Sequence, residues 1–323
     1  MILNRRSLIS GAGSILLSGV LPSWGAETKI IGGSAFGSWW RAVLPSQVDT
    51  LEIKVAIEAV VALVDNAMSP FKKTSEISRL NDAIDTDWHS VSPKTGIVIS
   101  ESLRIAQLTN GAFDPTVGPL VGRFGFGPIT GSSIAGYQNI QFAKGKLRKT
   151  IPQASLDLCG IAKGHALDRM GDILSARNVT SYLLEVGGEV LARGYHPQGR
   201  QWQIGIQTIS GGMSAFQRIV NLDGVALATS GDTVNGGQEG GIYFNHIIDP
   251  QAQLPVSNGV ASVSVICETA MQADALATAF MVMGSKAGLA LAEQEGIAVL
   301  FLIREPSGIS EVMSDQFLQY IVV

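Results

Sequence analysis

Residues 269–283 constrain the fold most, because this long, alanine-rich apolar stretch contains a single carboxylate, Asp274. The pattern predicts a helix that ends at Gly284. Asp274 and Thr278 are four residues apart, so their oxygens share one helix face. A carboxylate buried on such a helix is costly unless it is paired or coordinated, and hard oxygen ligands suit Mg²⁺. We therefore expect a magnesium site here. The alternative is that Asp274 only stabilises the N-terminus of the helix, which would explain Asp274 but not its pairing with Thr278.

Composition excludes several classes of protein. The chain has 323 residues, of which 46% are hydrophobic and 15% charged, so it is long and apolar enough to bury a substantial core. A formal net charge of −4 gives no electrostatic reason to expect nucleic acid as a partner. The two cysteines, Cys159 and Cys267, are too few for a disulfide scaffold or an all-cysteine zinc site, and we expect two separate thiols.

The N-terminus has the pattern of an export signal. Arg5 and Arg6 directly precede a weakly apolar run over residues 8–21 that is too short and too polar to span a membrane. We predict a twin-arginine signal peptide over residues 1–26 and one domain over residues 27–323, located in the periplasm and not membrane-spanning. An ordinary secretion signal with a chance arginine pair is the alternative.

The rest of the chain mixes helices and strands without a regular βαβ order, which favours an α+β fold. Helices are predicted at residues 52–66, 100–109 and 162–177, and strands at 181–186, 202–207, 219–229, 260–267 and 297–303. The predicted buried stripe of the first helix comprises Ile53, Ala56, Val60, Leu63 and Val64. Asp223 and Gly224 lie between apolar runs and predict a two-residue hairpin, so part of the sheet should be antiparallel.

Two further segments have more polar, glycine and proline residues than packing requires. In residues 109–120, two prolines and two glycines bracket Asp114 and Thr116, as in a rigid functional loop or a simple Asx turn. In residues 156–168, an apolar strand enters a glycine turn and continues as a helix, whose first amides, with Lys163, could hold a diphosphate. His165 in this segment is either a ligand or a surface or stacking histidine.

A last pair of segments, residues 228–232 and 245–250, places His246 and Asp249 around an apolar pair at a strand end. A carboxylate there could orient His246 as a general base, whereas a plain strand-ending turn would need no chemistry.

Together these segments resemble the ApbE family of FAD:protein FMN transferases. The matching stretches occur in family order, at residues 68–71, 75–81, 111–120, 157–168, 184–189, 229–232, 246–250 and 273–278. The resemblance thus covers most of the mature chain. It implies an ApbE-like, T-fold-related α+β domain with mixed, largely antiparallel sheets and packed helices.

The resemblance also implies a chemistry: Mg²⁺-dependent transfer of FMN from FAD to a threonine or serine of a target flavoprotein, with release of AMP. By motif position, the carbonyl of Ala162, Asp274 and Thr278, with Ala277 adjacent, would hold the metal, and His246 would be the base. The positions that match FAD contacts are Phe36, Phe71, Ala112, Phe113, Asp114, Cys159, His165 and Ile248. Lys163 and Asp168 are further expected contacts to phosphate and nucleotide.

This sequence departs from the family pattern at three places. Phe71 replaces the usual tyrosine, residues 36–38 read Phe-Gly-Ser in place of Met-Gly-Thr, and residues 251–255 read Gln-Ala-Gln-Leu-Pro where Arg-Thr-Gly-x-Pro is common. These changes leave two alternatives open, an FAD hydrolase that forms FMN and AMP and a non-catalytic FAD carrier. The export signal suggests as acceptor a periplasmic domain of a membrane flavoprotein, such as a subunit of an Rnf- or Nqr-type complex, or a flavoprotein of nitrous-oxide reductase maturation.

Overall fold

The computed structural model describes residues 28–131, 135–209, 216–232, 236–239 and 242–322. The predicted export signal lies outside these residues. The described helices are α1 (Leu51–Met68), α2 (Glu76–Asp82), α3 (Pro93–Leu108), α4 (Gly118–Arg123), α5 (Cys159–Ala176), α6 (Ala270–Glu295) and α7 (Asp315–Leu318).

The described strands fall into one large sheet and several small ones. In chain order they are β1 (Thr28–Ala35), β2 (Ser38–Pro45), β3 (His89–Ser90), β4 (Ile140–Ala143), β5 (Lys146–Lys149), β6 (Tyr182–Val186), β7 (Glu189–Arg193), β8 (Trp202–Gln207), β9 (Phe216–Leu222), β10 (Val225–Gly231), β11 (Gly236–Glu239), β12 (Ile242–Asn245), β13 (Ile248–Asp249), β14 (Leu254–Pro255), β15 (Val260–Cys267), β16 (Ala298–Glu305) and β17 (Gly308–Met313). Among the described residues, eight strands pair antiparallel throughout in the order β1-β2-β6-β7-β10-β15-β16-β17. The predicted α+β class with a largely antiparallel sheet is therefore confirmed.

Both faces of the central strands are covered, because their side chains alternate between two layers. Leu184 of β6 packs with α1 and α5 on one face, whereas the preceding Leu183 packs with β8, β9 and α7 on the other. In β15, Val265 and Ile266 divide in the same way between the helical layer and the small-sheet layer. The sheet is thus a buried platform, and α5 and α6 lie side by side on it.

Helices α5 and α6 cross at a glycine. A Cβ atom on Gly164 would lie 2.2 Å from the carbonyl oxygen of Ala270, so only glycine lets the two backbones approach this closely. The start of α6 is fixed by Thr269, whose hydroxyl accepts a hydrogen bond from the backbone N–H of Gln272 at 3.3 Å. This crossing sets the position of the residues that follow on both helices.

Several predicted boundaries and one predicted stripe need correction. Helix α3 begins at Pro93 rather than at residue 100, and α6 continues to Glu295. Gly284, with φ 76° and ψ 167°, interrupts α6 as predicted, but a second helical segment follows. At this interruption, the side-chain amide of Asn258 donates a hydrogen bond to the carbonyl of Met281 at 2.8 Å. In α1 the buried stripe is Ile53, Ile57, Val61, Val64 and Met68.

The α1 error is one of phase. Leu63, predicted to be buried, is 51% exposed, whereas its neighbour Val64 is buried. Adjacent helix positions differ by about 100° around the axis, so both could not face the same core. Apolar residues on both sides of α1 made the correct stripe impossible to identify by spacing alone.

The predicted hairpin at Asp223 and Gly224 is wrong. Strand β9 pairs with β8, whereas β10 pairs with β7 and β15, so the two strands that flank the turn belong to different sheets. Asp223 Oδ1 accepts from the backbone N–H of Gly194 at 2.7 Å, and Gly224 donates to the carbonyl of Ala192 at 2.9 Å. Both hydrogen bonds join the turn to the end of β7. The turn therefore connects a strand of one sheet to a strand of another.

Helix α6 is the one helix among the described residues whose length and composition would suffice to cross a membrane. It lies against β10 and β15, and half of its most apolar stretch is buried inside the protein.

We predict that Gly164→Ala lowers the free energy of unfolding by at least about 3 kcal/mol, because the added methyl group meets backbone that cannot move aside. Gly171→Ala on the same helix is the matched control. Its Cβ would meet only side-chain atoms of Leu191 and Tyr182, and the gain in helix propensity, about 1 kcal/mol, offsets part of the strain. Chemical denaturation measures both variants, and equal losses would contradict the close backbone crossing.

Candidate active site

Asp274 on α6 faces the first turns of α5. The residue is 4% exposed, and its Oδ2 accepts a hydrogen bond from the backbone N–H of Gly164 at 3.1 Å. One turn later, the Thr278 hydroxyl lies 3.3 Å from the Asp274 carbonyl and 3.3 Å from the Ser230 hydroxyl of β10. The structure therefore brings the predicted carboxylate and hydroxyl pair to the start of α5. The strand and glycine turn predicted before this helix are wrong, because residues 154–158 form no strand and Gly160 and Gly164 lie inside α5.

Lys163 joins this group from α5. Its Nζ donates a hydrogen bond to Glu189 Oε1 on β7 and lies 3.9 Å from Asp274 Oδ1. Burial raises the pKa of Asp274, Lys163 acts in the opposite direction, and Glu189 raises it further. Burial also acts to lower the pKa of Lys163, but the two carboxylates outweigh it and the pKa rises. Lys163 is thus a charged partner of carboxylates, and its predicted phosphate contact stays a prediction.

The oxygen atoms around Asp274 suit a hard divalent cation. Within the described residues, no group of three or more His, Cys, Asp or Glu side chains gathers as a metal site. A metal here would therefore take the Asp274 carboxylate, the Thr278 hydroxyl and the carbonyl of Ala162 as ligands, and complete its shell with water and substrate oxygens, as Mg²⁺ commonly does. Glu189 Oε2 is buried and has no hydrogen-bond partner among the described residues, so one hydrogen-bond acceptor beside this centre is unsatisfied.

The start of α5 uses most of its own amides. The N–H of Cys159 donates to Asp157 Oδ1 at 2.9 Å, and the N–H groups of Ile161 and Ala162 donate to the carbonyl of Leu158 at 3.1 and 2.8 Å. The expected cradle of free amides is therefore largely occupied within the turn. The helix can still attract an anion through the positive end of its dipole.

The loop after α3 is built around Asp114, which is 6% exposed. Its Oδ1 accepts from the N–H and the hydroxyl of Thr116 at 2.8 and 2.6 Å, and its Oδ2 accepts from the N–H of Tyr137 at 3.0 Å. Burial raises the pKa of Asp114. These bonds form an Asx turn that holds the loop, and the predicted flavin contact of Asp114 stays a prediction. The neighbouring Phe113 lies close to Thr278. Both residues flank Gly160, where an added Cβ would lie 3.3 Å from Phe113 and 3.6 Å from the Thr278 hydroxyl.

Asp168 caps a helix. Its two oxygens accept from the backbone N–H groups of Ala270 and Met271 at 2.7 and 3.0 Å, which satisfies the first turn of α6. Burial raises the pKa of Asp168 to about 6. This contact explains Asp168 without the predicted nucleotide contact. It also ties α5 to α6 one turn before Asp274.

His165 is buried rather than placed at the surface, which corrects one of its predicted alternatives. It is 4% exposed, and its Nε2 has no hydrogen-bond partner among the described residues. Burial, together with the positive charge of nearby Arg169, lowers the pKa of His165 to about 4. The imidazole is therefore neutral at pH 7.

The remaining predicted flavin contacts differ in exposure. Phe71 is 67% exposed, Cys159 is exposed, Phe36, Ala112 and Ala162 are half-buried, and Ala277 and Ile248 are buried. Their roles stay predictions. Cys159 and Cys267 are both free thiols, as expected.

His246 lies in the turn between β12 and β13. Its ring makes an edge contact with Phe126, with ring centroids 6.3 Å apart. Asp249, expected to orient it, accepts from the backbone N–H groups of Gln251 and Ala252 at 2.8 and 3.0 Å. Those bonds form the turn between β13 and β14. The side chain of Gln251, one of the residues that depart from the family pattern, donates to the carbonyl of Asn110 at 3.0 Å and links this turn to the loop after α3.

Sequence reasoning missed Glu189, which pairs with Lys163. The available signal was a charged residue immediately after Gly187 and Gly188, followed by three apolar residues of the same strand. A carboxylate at that place needs a cation nearby once both faces of the sheet are covered.

Comparisons with known proteins agree on one family. The ApbE family model matches residues 36–301. The chain is 34% identical to the FAD:protein FMN transferase of Vibrio cholerae, covering 97% of this chain and 98% of that protein. It is 32% identical to that of Escherichia coli K12, covering 92% and 90%.

Solved structures agree as well. The flavin transferase ApbE from Vibrio cholerae superposes with a TM-score of 0.85 at 34% identity, covering 91% of this chain and 99% of that one. The flavinyl transferase ApbE from Pseudomonas stutzeri, in its apo form, superposes with a TM-score of 0.81 at 30% identity, covering 90% and 96%.

The buried His165 predicts a pH-dependent stability. Because its folded pKa of about 4 lies below the usual 6.5, His165 stabilises the fold above pH 6.5, and this contribution, up to about 3 kcal/mol, is lost as pH falls toward 4. We expect the difference in unfolding free energy between wild type and His165→Gln to shrink or reverse over that interval.

Denaturant titrations at several pH values measure this difference. His89→Gln is the matched control, since His89 is partly exposed and paired with Asp85. A difference between wild type and His165→Gln that stays constant from pH 7 to pH 4 would contradict a buried neutral imidazole.

Proposed function

This chain belongs to the ApbE family, and on that premise we propose that it transfers FMN from FAD to a threonine or serine hydroxyl of a target flavoprotein, releasing AMP. The observation that carries the proposal is the position of Asp274, buried against the first turns of α5 with the Thr278 hydroxyl on the same face. The names of its relatives, over nearly the full chain length, support the same transfer.

The proposed divalent cation is Mg²⁺, held by Asp274, Thr278 and the carbonyl of Ala162. When bound, it would neutralise charge on the diphosphate oxygens during transfer. The protein's own part is to keep the carboxylate oriented: the Gly164 amide fixes one oxygen of Asp274, and the Asp168 cap fixes the start of α6. The positive end of the α5 dipole favours the anionic diphosphate on this side.

His246 is the proposed general base. In the reaction, the acceptor hydroxyl loses its proton to the imidazole while its oxygen bonds to the FMN phosphorus and the bond to the AMP phosphate breaks. AMP leaves with the bridging oxygen, and the imidazole passes the proton to solvent. The edge contact with Phe126 supports a defined ring orientation in the turn after β12.

We propose a periplasmic location, because residues 1–26 have the twin-arginine pattern. The acceptor would then be a periplasmic domain of a membrane flavoprotein, such as a subunit of an Rnf- or Nqr-type complex, or a flavoprotein of nitrous-oxide reductase maturation.

A second candidate is hydrolysis of FAD to FMN and AMP, with water in place of the acceptor hydroxyl. Gln251 favours it, since it stands where the family commonly has an arginine and bonds to the loop at Asn110. A carrier that stores FAD without chemistry is disfavoured, because storage needs no carboxylate and hydroxyl pair for a metal. Incubation with FAD, Mg²⁺ and an acceptor peptide, followed by mass spectrometry, separates the three: a covalent FMN adduct, free FMN plus AMP, or unchanged FAD.

We predict that Asp274→Asn lowers the metal-dependent rate at least about a hundredfold, because the amide removes the charged ligand while keeping the shape. The initial rate of adduct formation measures this loss. Asp172→Asn is the control, since Asp172 is an exposed carboxylate of α5 paired with Arg169. Full activity in Asp274→Asn would refute the metal assignment.

For His246→Ala we expect FAD affinity to stay within about twofold of wild type while transfer slows by about 10²–10⁴-fold, as for loss of a general base. Flavin fluorescence titration and the adduct assay measure the two quantities separately, and His89→Ala is the control. An unchanged transfer rate would exclude His246 as the base.

A further inference from the structure

Lys163 occupies an unusual position beside the proposed metal site. Its ammonium group bonds to Glu189 and lies 3.9 Å from Asp274 Oδ1, one of the oxygens that the metal would use. The second oxygen of Asp274 is already bonded to the backbone of Gly164. A cation of the protein itself is therefore next to the site of the divalent ion.

The charges around Lys163 determine how readily a divalent cation can bind beside Asp274. With both carboxylates ionised, Glu189 and Asp274 outweigh the single positive charge of Lys163 by one unit. Both carboxylates are buried, and Glu189 Oε2 has no partner among the described residues. Buried charges separated by a few ångströms interact strongly, so the ammonium stabilises the pair and at the same time repels a divalent cation that approaches Asp274.

A bound diphosphate would change the balance of charges around Lys163 and Asp274. Its negative charges would compensate both the metal and the ammonium, and the dipole of α5 attracts it to the same place. Metal alone would have to bind next to the Lys163 ammonium group and against its repulsion, whereas the diphosphate would offset that repulsion.

We propose that Lys163 is a positioning residue whose ammonium group stands in for the divalent cation beside Asp274 in the ligand-free protein, so that metal and dinucleotide bind together and metal alone binds weakly. This inference rests on the metal site of the proposed function. The proposal requires that Lys163 weaken metal binding when no diphosphate is present. It also requires that Glu189 strengthen metal binding, because Glu189 holds the ammonium group.

The test is a titration of the full-length protein with MnCl₂ alone, with free Mn²⁺ measured by electron paramagnetic resonance. Lys163→Met should bind Mn²⁺ at least about tenfold more tightly than wild type, because the opposing charge is gone. Glu189→Gln should bind it at least about fivefold more weakly, because the negative charge falls and the ammonium has only Asp274 as its carboxylate partner. ADP, which carries a diphosphate, also chelates Mn²⁺ in solution, so the same titration without protein is subtracted. After this correction, ADP should strengthen Mn²⁺ binding to wild type at least about tenfold and to Lys163→Met much less.

Controls separate this effect from damage to the fold. Lys163→Arg keeps the charge and should stay within about threefold of wild type, and Lys54→Met removes an exposed cation of α1 paired with Glu58 and should change nothing. A merely structural lysine would not strengthen metal binding when removed. If Lys163→Met does not fold, Lys163→Gln, which also removes the positive charge, takes its place, and equal Mn²⁺ affinities of that variant and wild type would overturn the proposal.

Two failures are distinguishable. If wild type and Lys163→Met bind Mn²⁺ alone equally well, and Asp274→Asn abolishes binding, the role of Lys163 is overturned while the metal site stands. If wild type and the lysine and glutamate variants all fail to bind Mn²⁺ even with ADP, the metal assignment of the proposed function fails as well.

Discussion

The close crossing of α5 and α6 is the constraint on which the candidate site depends. At Gly164 the backbones approach so closely that a Cβ would lie 2.2 Å from the Ala270 carbonyl oxygen. This contact places the Gly164 amide within 3.1 Å of the Asp274 carboxylate and lets Asp168 cap the adjoining helix. A larger residue would separate the helices and with them the oxygens that a metal would need.

The sheet beneath supplies the rigidity for this crossing and the third member of the charged group. Glu189 is the first residue of β7, directly after the tight turn from β6, so the pairing of these strands fixes its carboxylate beneath α5. Ser230, near the end of β10, brings a hydroxyl to Thr278. The group around Asp274 is thus assembled from two helices and two strands rather than from loops, which favours a fixed geometry.

Local signals in the sequence predicted the parts of the site that lie on one element. A carboxylate and a hydroxyl four residues apart on an apolar helix indicated Asp274 and Thr278, and the proline and glycine pattern indicated the rigid loop at Asp114. Contacts between elements were not predictable in this way. The pairing of Lys163 with Glu189 depends on which strand lies beneath α5, and the turn at Asp223 resembles a hairpin until its hydrogen bonds to the end of β7 are known.

The most direct test of the account is the anomalous difference map of a crystal grown with FAD and Mn²⁺. We expect a manganese peak within about 2.5 Å of an Asp274 carboxylate oxygen and of the Thr278 hydroxyl. We also expect the diphosphate oxygens of FAD to contact the same ion. A flavin bound elsewhere on the molecule, or a manganese ion away from Asp274, would contradict the account.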